Sequence, residues 1–431
     1  MRVLFVSDVY FPRVNGVSTS IATFREDLAQ LGVESVLVAP RYGRGEADAA
    51  ADGVVRVPSG RVPGDPEDRR MRWTALGLEL QRLRPGGFDL VHVHTPFLAH
   101  YAGVRHARRA GIPVVETYHT FFEEYLHHYV PLMPRWIGRT VARRVTRSQC
   151  AAVDALISPS APMLELLVQY GVGTPIHVIP TGMPAQRFVR GDGARFRAQQ
   201  SLPADRPIVL YVGRVAHEKN IGFLLDAFVE LRRMQPRALL VIAGEGPARQ
   251  SLNAQVQQLG LARDVAFVGY LDRETGLADC YASAAAFVFA SRTETQGLVL
   301  LEAMAQGCAV VSTAVLGTAS ILQPGCGAQV APEEPAAFAS AVAKVLDDPE
   351  RAARMGEQAR RYAEGWSSRA CAQRLLACYQ QVLESRAGQG NSGQGNPGQG
   401  SPGQGGPGKA LAGQGKGGPS GTPVAGAAAN G

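Results

Sequence analysis

Short apolar runs alternate with longer amphipathic stretches from the first residue of the chain onward. In the first half, the runs that we predict as strands are VLFVSD, SVLVAP, DLVHVH, IPVVETYH and DALISPS. The stretch STSIATFREDLAQLG, between the first two runs, is typical of an amphipathic helix. Apolar strands separated by amphipathic helices predict βαβ units and a parallel sheet.

The same pattern starts again in the second half. The predicted strands are PIVLYVG, ALLVIAG, DVAFVGY, AAAFVFA and CAVVSTA, and the predicted helices are NIGFLLDAFVELRRM, ARQSLNAQVQQLG and GLVLLEAMAQG. We therefore predict the α/β class, with two doubly wound parallel-sheet domains in tandem, residues 1–185 and residues 195–365. The seam falls in VIPTGMPAQRFVRGDG, which is rich in glycine and proline.

The C-terminal part of the chain divides into a helical segment and a tail. Residues 333–385 are helical by pattern, and we expect the segment 366–387 to form a helix that crosses back to the first domain. From 388 to 431 the chain becomes a quasi-repeat of GQGNS, GQGNP, GQGSP and GQGGP. Collagen needs glycine at every third position, so this five-residue period excludes a collagen helix. The tail has too few apolar side chains for their burial to offset the loss of chain entropy on folding, and we predict that it is disordered.

Composition restricts the class of protein. The chain has 431 residues, 45% hydrophobic and 19% charged, which fits two soluble globular domains. No run of about 18 apolar residues could span a bilayer, and we interpret MRVLFVSDVY as a strand because Asp8 follows the apolar run at once. The six cysteines lie far apart without a C-x-x-C pair, so neither a zinc site nor a disulfide framework is indicated. These features favour a cytoplasmic protein.

Part of the net charge of +7 lies in residues 134–147, PRWIGRTVARRVTR, which contain five arginines and no acid. Arginines at positions i, i+4 and i+8 share one side of a helix, and Trp136 and Val141 occupy adjoining positions. Such a helix can lie on an anionic membrane surface, and an ordinary solvated arginine face is the alternative. Aromatic platforms interleaved with the arginines are missing, which disfavours nucleic acid as a partner.

The loop after the first strand is the first candidate for binding chemistry, because open α/β sheets bind ligands at the carboxyl ends of their strands. This loop, SDVYFPRVNGVSTS, places Asn15 and Gly16 just before a helix. Glycine allows a ligand to approach the backbone, and the free N–H groups of a helix start attract anions. An ordinary Asn-Gly turn is the alternative, and the missing G-x-G-x-x-G disfavours a dinucleotide site.

Three histidines, His92, His94 and His119, fall at or near two further strand ends. A metal site is disfavoured, because successive strand residues face opposite ways and no acid completes a ligand set at short spacing. We predict that His119 is a hydrogen-bond partner for the substrate, with a satisfied structural histidine as the alternative.

The segment GRVAHEKN, residues 213–220, follows the first strand of the second half. Arg214 and Lys219 leave the strand end together, and a helix should begin near Asn220. Two cations and a helix start can therefore converge on one anion, and a diphosphate suits them. Ordinary surface charge is the alternative. The glycine turn AGEGP, residues 243–247, is a weak signal by itself.

The segment TETQGLVLLE places two carboxylates around a helix start. If the helix begins near Gly297, the N–H groups of Gly297, Leu298 and Val299 are free to bind phosphate. Glu294 and Glu302 are then at most about 12 Å apart at a rise of ~1.5 Å per residue. This exceeds the ~5 to 9.5 Å between the carboxylates of glycoside hydrolases. A separation of this size suits a ligand that has a diphosphate in the middle, a sugar at one end and a ribose at the other.

These residues resemble the motifs of the retaining glycosyltransferases of family four, which have the GT-B fold of two facing Rossmann-like domains. The resemblance covers about residues 1–385. The E-x7-E motif is matched by Glu294 and Glu302. The G-R-x-x-x-E-K-N motif is matched by Gly213, Arg214, Glu218, Lys219 and Asn220.

The resemblance implies a role for each site residue. Arg214 and Lys219 would hold the phosphates of a nucleotide sugar, and Glu302 would hold its ribose. Glu294 and His119 would contact the donor sugar, His119 from the opposite domain.

The resemblance also implies a reaction. Gly16 would offer its N–H to the β-phosphate, and a hexose, glucose or mannose, would pass from a UDP-sugar or GDP-mannose to an acceptor hydroxyl with retention. No cofactor or metal is expected, because the cations can carry the charge of the diphosphate and no D-x-D motif is present.

Within the family, the segments FPRVNGVSTSI, HVHTPFLAHYAG, TYHTFFEEYLHHY and TETQGLV are similar to one branch. That branch includes diacylglycerol glucosyltransferases, sulfoquinovosyl transferases and GDP-mannose-dependent mannosyltransferases. It implies a lipid or glycan acceptor, glycolipid biosynthesis and peripheral attachment to the inner face of the cytoplasmic membrane. Thr295 and Gln296 stand where many members carry an aromatic residue.

Other functions remain as alternatives at this point. An epimerase or a phosphorylase could use the same fold. A non-catalytic membrane-associated protein could be built on the arginine helix and the tail. A NAD-dependent dehydrogenase is disfavoured by the missing fingerprint.

Overall fold

The structure is a computed structural model. It describes residues 1–43, 53–62, 65–84, 87–120, 135–272 and 275–392. Most of the predicted tail, Pro134 and most of the segment TYHTFFEEYLHHY lie outside the described residues.

The first half of the chain forms a seven-stranded sheet and a separate hairpin. The strands are, in chain order, β1 (Arg2–Val6), β2 (Glu34–Pro40), β3 (Val54–Val57), β4 (Ser59–Val62), β5 (Asp65–Met71), β6 (Leu90–Val93), β7 (Val114–Thr117), β8 (Ala155–Ser158) and β9 (Ile176–Val178). The sheet order is β3-β2-β1-β6-β7-β8-β9, and all its neighbouring strands are parallel. Strands β4 and β5 pair only with each other, antiparallel.

The second half repeats this arrangement. Its strands are β10 (Ile208–Val212), β11 (Leu239–Ala243), β12 (Val265–Gly269), β13 (Ala286–Phe289), β14 (Val310–Ser312) and β15 (Ala328–Val330). Their order across the sheet is β12-β11-β10-β13-β14-β15, and all neighbouring strands are parallel. The strand numbers fall from β12 to β10 and then rise from β13 to β15, so the strand order reverses between β10 and β13. The predicted α/β class with two doubly wound sheets is confirmed.

Helices connect the strands of both sheets. In the first half they are α1 (Gly16–Gln30), α2 (Trp73–Leu83), α3 (Leu98–Ala110), α4 (Arg135–Cys150) and α5 (Ala161–Gln169). In the second half they are α6 (Gly193–Gln199), α7 (Ile221–Met234), α8 (Arg249–Gln258), α9 (Gly276–Ala282), α10 (Leu298–Ala305), α11 (Gly317–Ile321), α12 (Pro335–Leu346), α13 (Pro349–Glu364) and α14 (Ser368–Ser392).

The residues of β1 show why its sequence is continuously apolar. Leu4 and Val6 pack on one face of the sheet with residues of α2 and α3. Val3 and Phe5 pack on the other face with residues of α1 and α14. A parallel strand that is covered on both faces has no polar side, so the period-two alternation of a half-exposed strand is missing.

The last helix, α14, returns to the first sheet. Leu375 and Tyr379 are fully buried beside Val3 and Phe5 of β1. The chain thus passes between the sheets twice, once after β9 and once before α14. The two passages are hydrogen-bonded to each other through Met183, whose N–H donates to the Trp366 carbonyl at 2.6 Å.

The hairpin and the shorter edge strands are not among the predicted elements. The sequence of β5, DPEDRRM, has no apolar alternation, and β5 makes its ladder with β4 alone. Strands β9 and β15 have three residues each and lie at sheet edges. Such strands form through pairing with the neighbouring strand, and local sequence carries little signal for them.

Gly182 lies where the two passages touch, and this position allows no side chain. A Cβ there would lie 2.4 Å from the Cα atom of Ser368 and 2.5 Å from its nitrogen. We expect Gly182→Ala to lower the free energy of unfolding by about 1–3 kcal/mol, because backbone must move to admit the methyl group. Thermal unfolding followed by circular dichroism measures this.

The matched control is Gly77→Ala within α2, where a Cβ would meet no atom within 4 Å. This change should raise the stability by about 0.5–1 kcal/mol, because alanine favours a helix. Equal melting temperatures for Gly182→Ala and the wild type would contradict the close approach.

Candidate active site

The loops after β1 and β6 of the first sheet and after β10 and β13 of the second border one cavity of about 920 Å³. In each sheet these two strands are neighbours where the strand order reverses, which is where open α/β sheets bind ligands. All eleven residues predicted for the site line this cavity: Asn15, Gly16, His119, Gly213, Arg214, Lys219, Glu294, Gly297, Leu298, Val299 and Glu302.

Asn15 and Gly16 form the start of α1. The side-chain oxygen of Asn15 accepts a hydrogen bond from the Ser18 amide at 2.8 Å, so Asn15 is the N-cap of the helix. A Cβ at Gly16 would meet no atom within 4 Å. The backbone at Gly16 therefore borders open space in the cavity, while the Asn15 side chain holds the helix start.

The loop after β10 carries the two cations predicted to hold a diphosphate. Arg214 Nη1 lies 3.1 Å from Glu218 Oε1, and Lys219 Nζ lies 2.5 Å from Glu294 Oε1. The side chains of Arg214 and Lys219 are 17% and 19% exposed, so both ion pairs are largely shielded from water. Each cation is therefore held at the cavity wall by an acid of its own domain.

Asn220 ties this loop to the end of β13. Its backbone is left-handed (φ 56°), and its side-chain amide donates to the Ala290 carbonyl at 3.2 Å and to Glu333 at 2.8 Å. Helix α7 begins directly after it. The Arg292 guanidinium beside Glu333, with help from Asn220, holds the pKa of that carboxyl below its usual range.

The glycines of the turn AGEGP serve close packing of two loops. A Cβ at Gly244 would lie 2.0 Å from the Gly213 carbonyl oxygen, and one at Gly246 would lie 2.3 Å from the Val215 oxygen. Both glycines also have positive φ angles. This turn therefore supports the backbone of the cation loop from behind.

The acidic motif spans the start of α10. Gly297 is the N-cap residue in a left-handed conformation (φ 96°), and Leu298 begins the helix. The first N–H groups of the helix have no partner within it. Glu294 lies in the loop before the helix, and Glu302 accepts a hydrogen bond from the Tyr281 hydroxyl at 3.2 Å.

Hydrogen bonds join the loop between β13 and α10 to the first domain. The Ser160 hydroxyl donates to the Thr295 carbonyl at 2.6 Å, and the Thr295 hydroxyl donates to the His119 carbonyl at 3.3 Å. The buried Gln296 side chain exchanges two hydrogen bonds with the Thr181 backbone, at 2.7 and 2.9 Å. Thr295 and Gln296, where the sequence departs from the family pattern, thus hold the two domains together at the site.

Of the three predicted histidines, His119 is the one that lines the cavity. His92 is fully buried, and its ring nitrogens lie 2.6 Å from the Tyr379 hydroxyl and 2.7 Å from the Thr117 hydroxyl. His94 is also fully buried, and its Nδ1 lies 3.3 Å from His119 Nε2. Burial lowers the pKa of all three histidines, and that of His119 falls to about 4.

Within the described ranges, no group of three or more His, Cys, Asp or Glu side chains is arranged to hold a metal ion. None of the helices that the structure describes has the length and apolar character needed to cross a membrane.

The cavity also contains a cluster of charged side chains and a tyrosine from both domains, which the sequence analysis did not predict. The buried Arg13 guanidinium lies 2.7 Å from Glu67 and 3.1 Å from Asp68, which belong to β5. Arg13 also donates to the Tyr270 hydroxyl of the second domain at 2.9 Å, and Glu67 lies 3.9 Å from Arg214 Nε. Arg13 stands in the loop SDVYFPRVNGVSTS, yet its partners are too distant in sequence to give a signal.

Asp8 is a second site residue that sequence reasoning missed. Its Oδ2 accepts hydrogen bonds from the Thr95 hydroxyl at 2.8 Å and the Ala99 amide at 3.0 Å, and it lines the cavity. Burial raises the pKa of the Asp8 carboxyl to about 6. Its position directly after β1 was the available signal, because strand ends carry the chemistry of this fold.

Helix α4 contains most of the predicted basic segment 134–147 and borders the cavity through Val145 and Gln149. Trp136 on the same helix is 72% exposed. Four of its arginines are exposed to solvent: Arg139, Arg143, Arg144 and Arg147. A basic surface with an exposed tryptophan therefore adjoins the first-domain wall of the cavity.

Comparison with known proteins agrees with this geometry. The family profile described as Glycosyltransferase Family 4 matches residues 14–187, and the one described as Glycosyl transferases group 1 matches residues 192–362. The chain is 32% identical to the alpha-monoglucosyldiacylglycerol synthase of Streptococcus pneumoniae over 319 residues, which cover 72% of this chain and 71% of that protein.

Two further relatives extend the comparison. The chain is 31% identical to the GDP-mannose-dependent alpha-mannosyltransferase of Mycobacterium tuberculosis, with 75% of this chain and 82% of that protein covered. The structure of sucrose-phosphate synthase from Thermosynechococcus elongatus superposes with a TM-score of 0.73 at 24% identity, covering 89% of this chain and 99% of that chain. The latter likeness shows a shared fold.

The buried histidines predict a loss of stability in mild acid. In the unfolded chain, His92, His94 and His119 take up protons below pH 6.5, whereas burial keeps them neutral in the folded protein, His119 down to about pH 4. The unfolded state then binds more protons, so the free energy of unfolding should fall by about 2 kcal/mol or more between pH 7 and 5. Asp8 opposes this in part, because its folded form takes up a proton near pH 6.

Denaturant unfolding at several pH values between 7 and 5 measures this dependence. A free energy of unfolding that stays constant or rises as the pH falls across this range would show that the three rings are not held neutral in the folded protein.

Proposed function

The chain belongs to the glycosyltransferases of family four, and from this premise we propose that it transfers a hexose from a nucleoside diphosphate sugar to an acceptor hydroxyl, with retention at the anomeric carbon. The predicted family, branch and enzyme class are confirmed by the profiles and the relatives. The sugar, glucose or mannose, and the donor, a UDP-sugar or GDP-mannose, form part of the proposal.

The observation that carries the proposal is the convergence of cations and a helix start on one cavity wall. Arg214, Lys219 and the first turn of α10 line the same cavity as the Gly16 backbone. In the transition state negative charge develops on the departing diphosphate. Donors that are already in place stabilise this charge without reorganisation.

Donor binding exchanges ion pairs in this proposal. Lys219 is paired with Glu294 at 2.5 Å, and the diphosphate would replace Glu294 as the partner of the cation. The released Glu294 carboxylate could then accept hydrogen bonds from the hydroxyls of the donor sugar, while Glu302 accepts those of the ribose. Both ends of the donor would be held by acids and its centre by cations.

No protein nucleophile is assigned in the proposed mechanism. The acceptor hydroxyl attacks the anomeric carbon from the face that the diphosphate leaves, and the departing phosphate oxygen takes the acceptor proton. The described cations carry the charge of the diphosphate, so a metal and other cofactors are not part of the proposal.

The first-domain wall of the cavity supports a lipid or glycolipid acceptor. Part of this wall is apolar and is formed by Pro96, Phe97, Leu98, Tyr101 and Val145. Since Val145 belongs to α4, this wall continues into the helix that carries the exposed arginines. An acyl chain could follow the apolar wall while the arginines contact anionic headgroups. We therefore propose peripheral attachment at the inner face of the cytoplasmic membrane.

Lys219→Ala and Glu294→Ala should each lower kcat by a factor of about 100 or more, because each removes a charged side chain that stabilises the transition state in the proposed mechanism. The measurement is the release of nucleoside diphosphate from UDP-glucose and GDP-mannose, with and without diacylglycerol or a monoglycosyl diacylglycerol. Lys344→Ala is the matched control, since this exposed lysine lies in α12, outside the cavity. Wild-type rates in the Lys219 and Glu294 variants would refute the site.

The arginine surface of α4 should control membrane binding. The triple variant Arg139→Gln, Arg143→Gln and Arg147→Gln should bind phosphatidylglycerol vesicles about 100-fold more weakly than the wild type, at about 1 kcal/mol per arginine. Cosedimentation at low and high salt measures this.

A charge-matched control changes three exposed arginines of the second domain, Arg233, Arg354 and Arg361. If both triple variants lose binding equally, the attraction is a property of net charge, and α4 has no special part in it.

A further inference from the structure

The two ring nitrogens of His94 have different surroundings. Nδ1 lies 3.3 Å from Nε2 of His119, whereas Nε2 is buried and has no hydrogen-bond partner in the described structure. The His94 ring is also stacked on Phe5, with ring centroids 5.1 Å apart, and it contacts the tilted ring of His92, with centroids 4.0 Å apart. This packing holds the ring in one orientation, so its unpartnered nitrogen stays buried.

Both rings of the His94–His119 pair are neutral at physiological pH, because burial lowers the pKa of each. A neutral imidazole carries one N–H and one lone pair. The contact between the two rings therefore needs one ring to donate and the other to accept. Two arrangements satisfy this requirement. They differ in whether a proton is bound to Nε2 of His94 and to Nδ1 of His119, the two nitrogens outside the contact.

In one arrangement His119 donates from Nε2, and His94 then carries its own proton on the buried Nε2 without any acceptor. In the other arrangement His94 donates from Nδ1, and only a lone pair is left unpartnered at Nε2. A buried N–H without an acceptor is rarer in proteins than a buried acceptor without a donor. The second arrangement is therefore favoured.

We infer that His94 is a positioning residue that donates from Nδ1 to Nε2 of His119 and thereby places the proton of His119 on Nδ1. His119 lines the cavity, and its Nδ1 is the ring nitrogen left for a ligand. The backbone of His119 is held by hydrogen bonds to Thr117 and Thr295. His119 then presents a fixed N–H donor to a hydroxyl oxygen of the donor sugar, a role that rests on the proposed function.

The wild-type protein tests the proton position directly. Two-bond ¹H–¹⁵N correlation spectra of the full chain with labelled histidine distinguish the two neutral tautomers, and a His119→Gln sample assigns the His119 signals. We expect His119 with its proton on Nδ1 and His94 likewise with its proton on Nδ1. A proton on Nε2 of His119 would overturn the inference, whether or not the chain has transferase activity.

Two isosteric variants test the consequence for the reaction. In His94→Asn the side-chain amide can still donate to His119, whereas in His94→Asp the carboxylate can only accept and draws the His119 proton to Nε2. We expect kcat/KM to stay within about threefold of the wild type for the asparagine variant and to fall about tenfold or more for the aspartate variant.

The spectra separate a positioning role from a structural one. The aspartate variant should show His119 with its proton on Nε2, and the asparagine variant should keep it on Nδ1. Circular dichroism melting checks that both variants fold. If the tautomers change as expected while kcat/KM is equal in the two variants, His119 does not donate to the sugar. If no donor is turned over by the wild type, the proposed function fails while the tautomer result stands.

Discussion

The site is governed by the need to give each shielded cation of the cleft an acidic partner. Lys219 is paired with Glu294, Arg214 with Glu218, and Arg13 with acids of the β4–β5 hairpin. A shielded charge without a partner would be costly, so each of these cations needs an acidic neighbour. In the proposed function, the ligand would replace these acids as the partner of each cation, and the released acids would become available to hydroxyl groups.

The two doubly wound sheets make this arrangement possible. Each sheet reverses its strand order between a central pair of strands, and the loops of β1 and β10 leave these points toward the same cavity. The hydrogen bonds of Ser160, Thr295 and Gln296 join the domains beside the cavity. The acidic motif of one domain and His119 of the other are thereby held at a defined separation.

Each domain contributes both charged and apolar side chains to the wall of the cavity. The second domain contributes Arg214 and Lys219, whereas the first domain contributes Arg13 and the apolar side chains of Pro96, Phe97 and Leu98. Helix α4 connects the apolar part of the first-domain wall to an exposed arginine surface. In the proposed function, the charged donor would contact Arg214 and Lys219, and an amphipathic acceptor would contact the apolar part of the first-domain wall.

The sequence by itself determined the α/β class, the central strands and the motifs of the site, because apolar periodicity and glycine turns are local properties of the chain. Short-range spacing sufficed to predict that Arg214, Lys219, Glu294 and Glu302 lie near one another, since each stands close to a strand end or a helix start. Only the tertiary structure decided which side chains pair. The contact of Arg13 with Glu67 and that of His94 with His119 join residues of separate strands or loops. Such contacts depend on which strands are neighbours in the sheet and on how the loops and the hairpin pack, and neither leaves a periodic trace in the sequence.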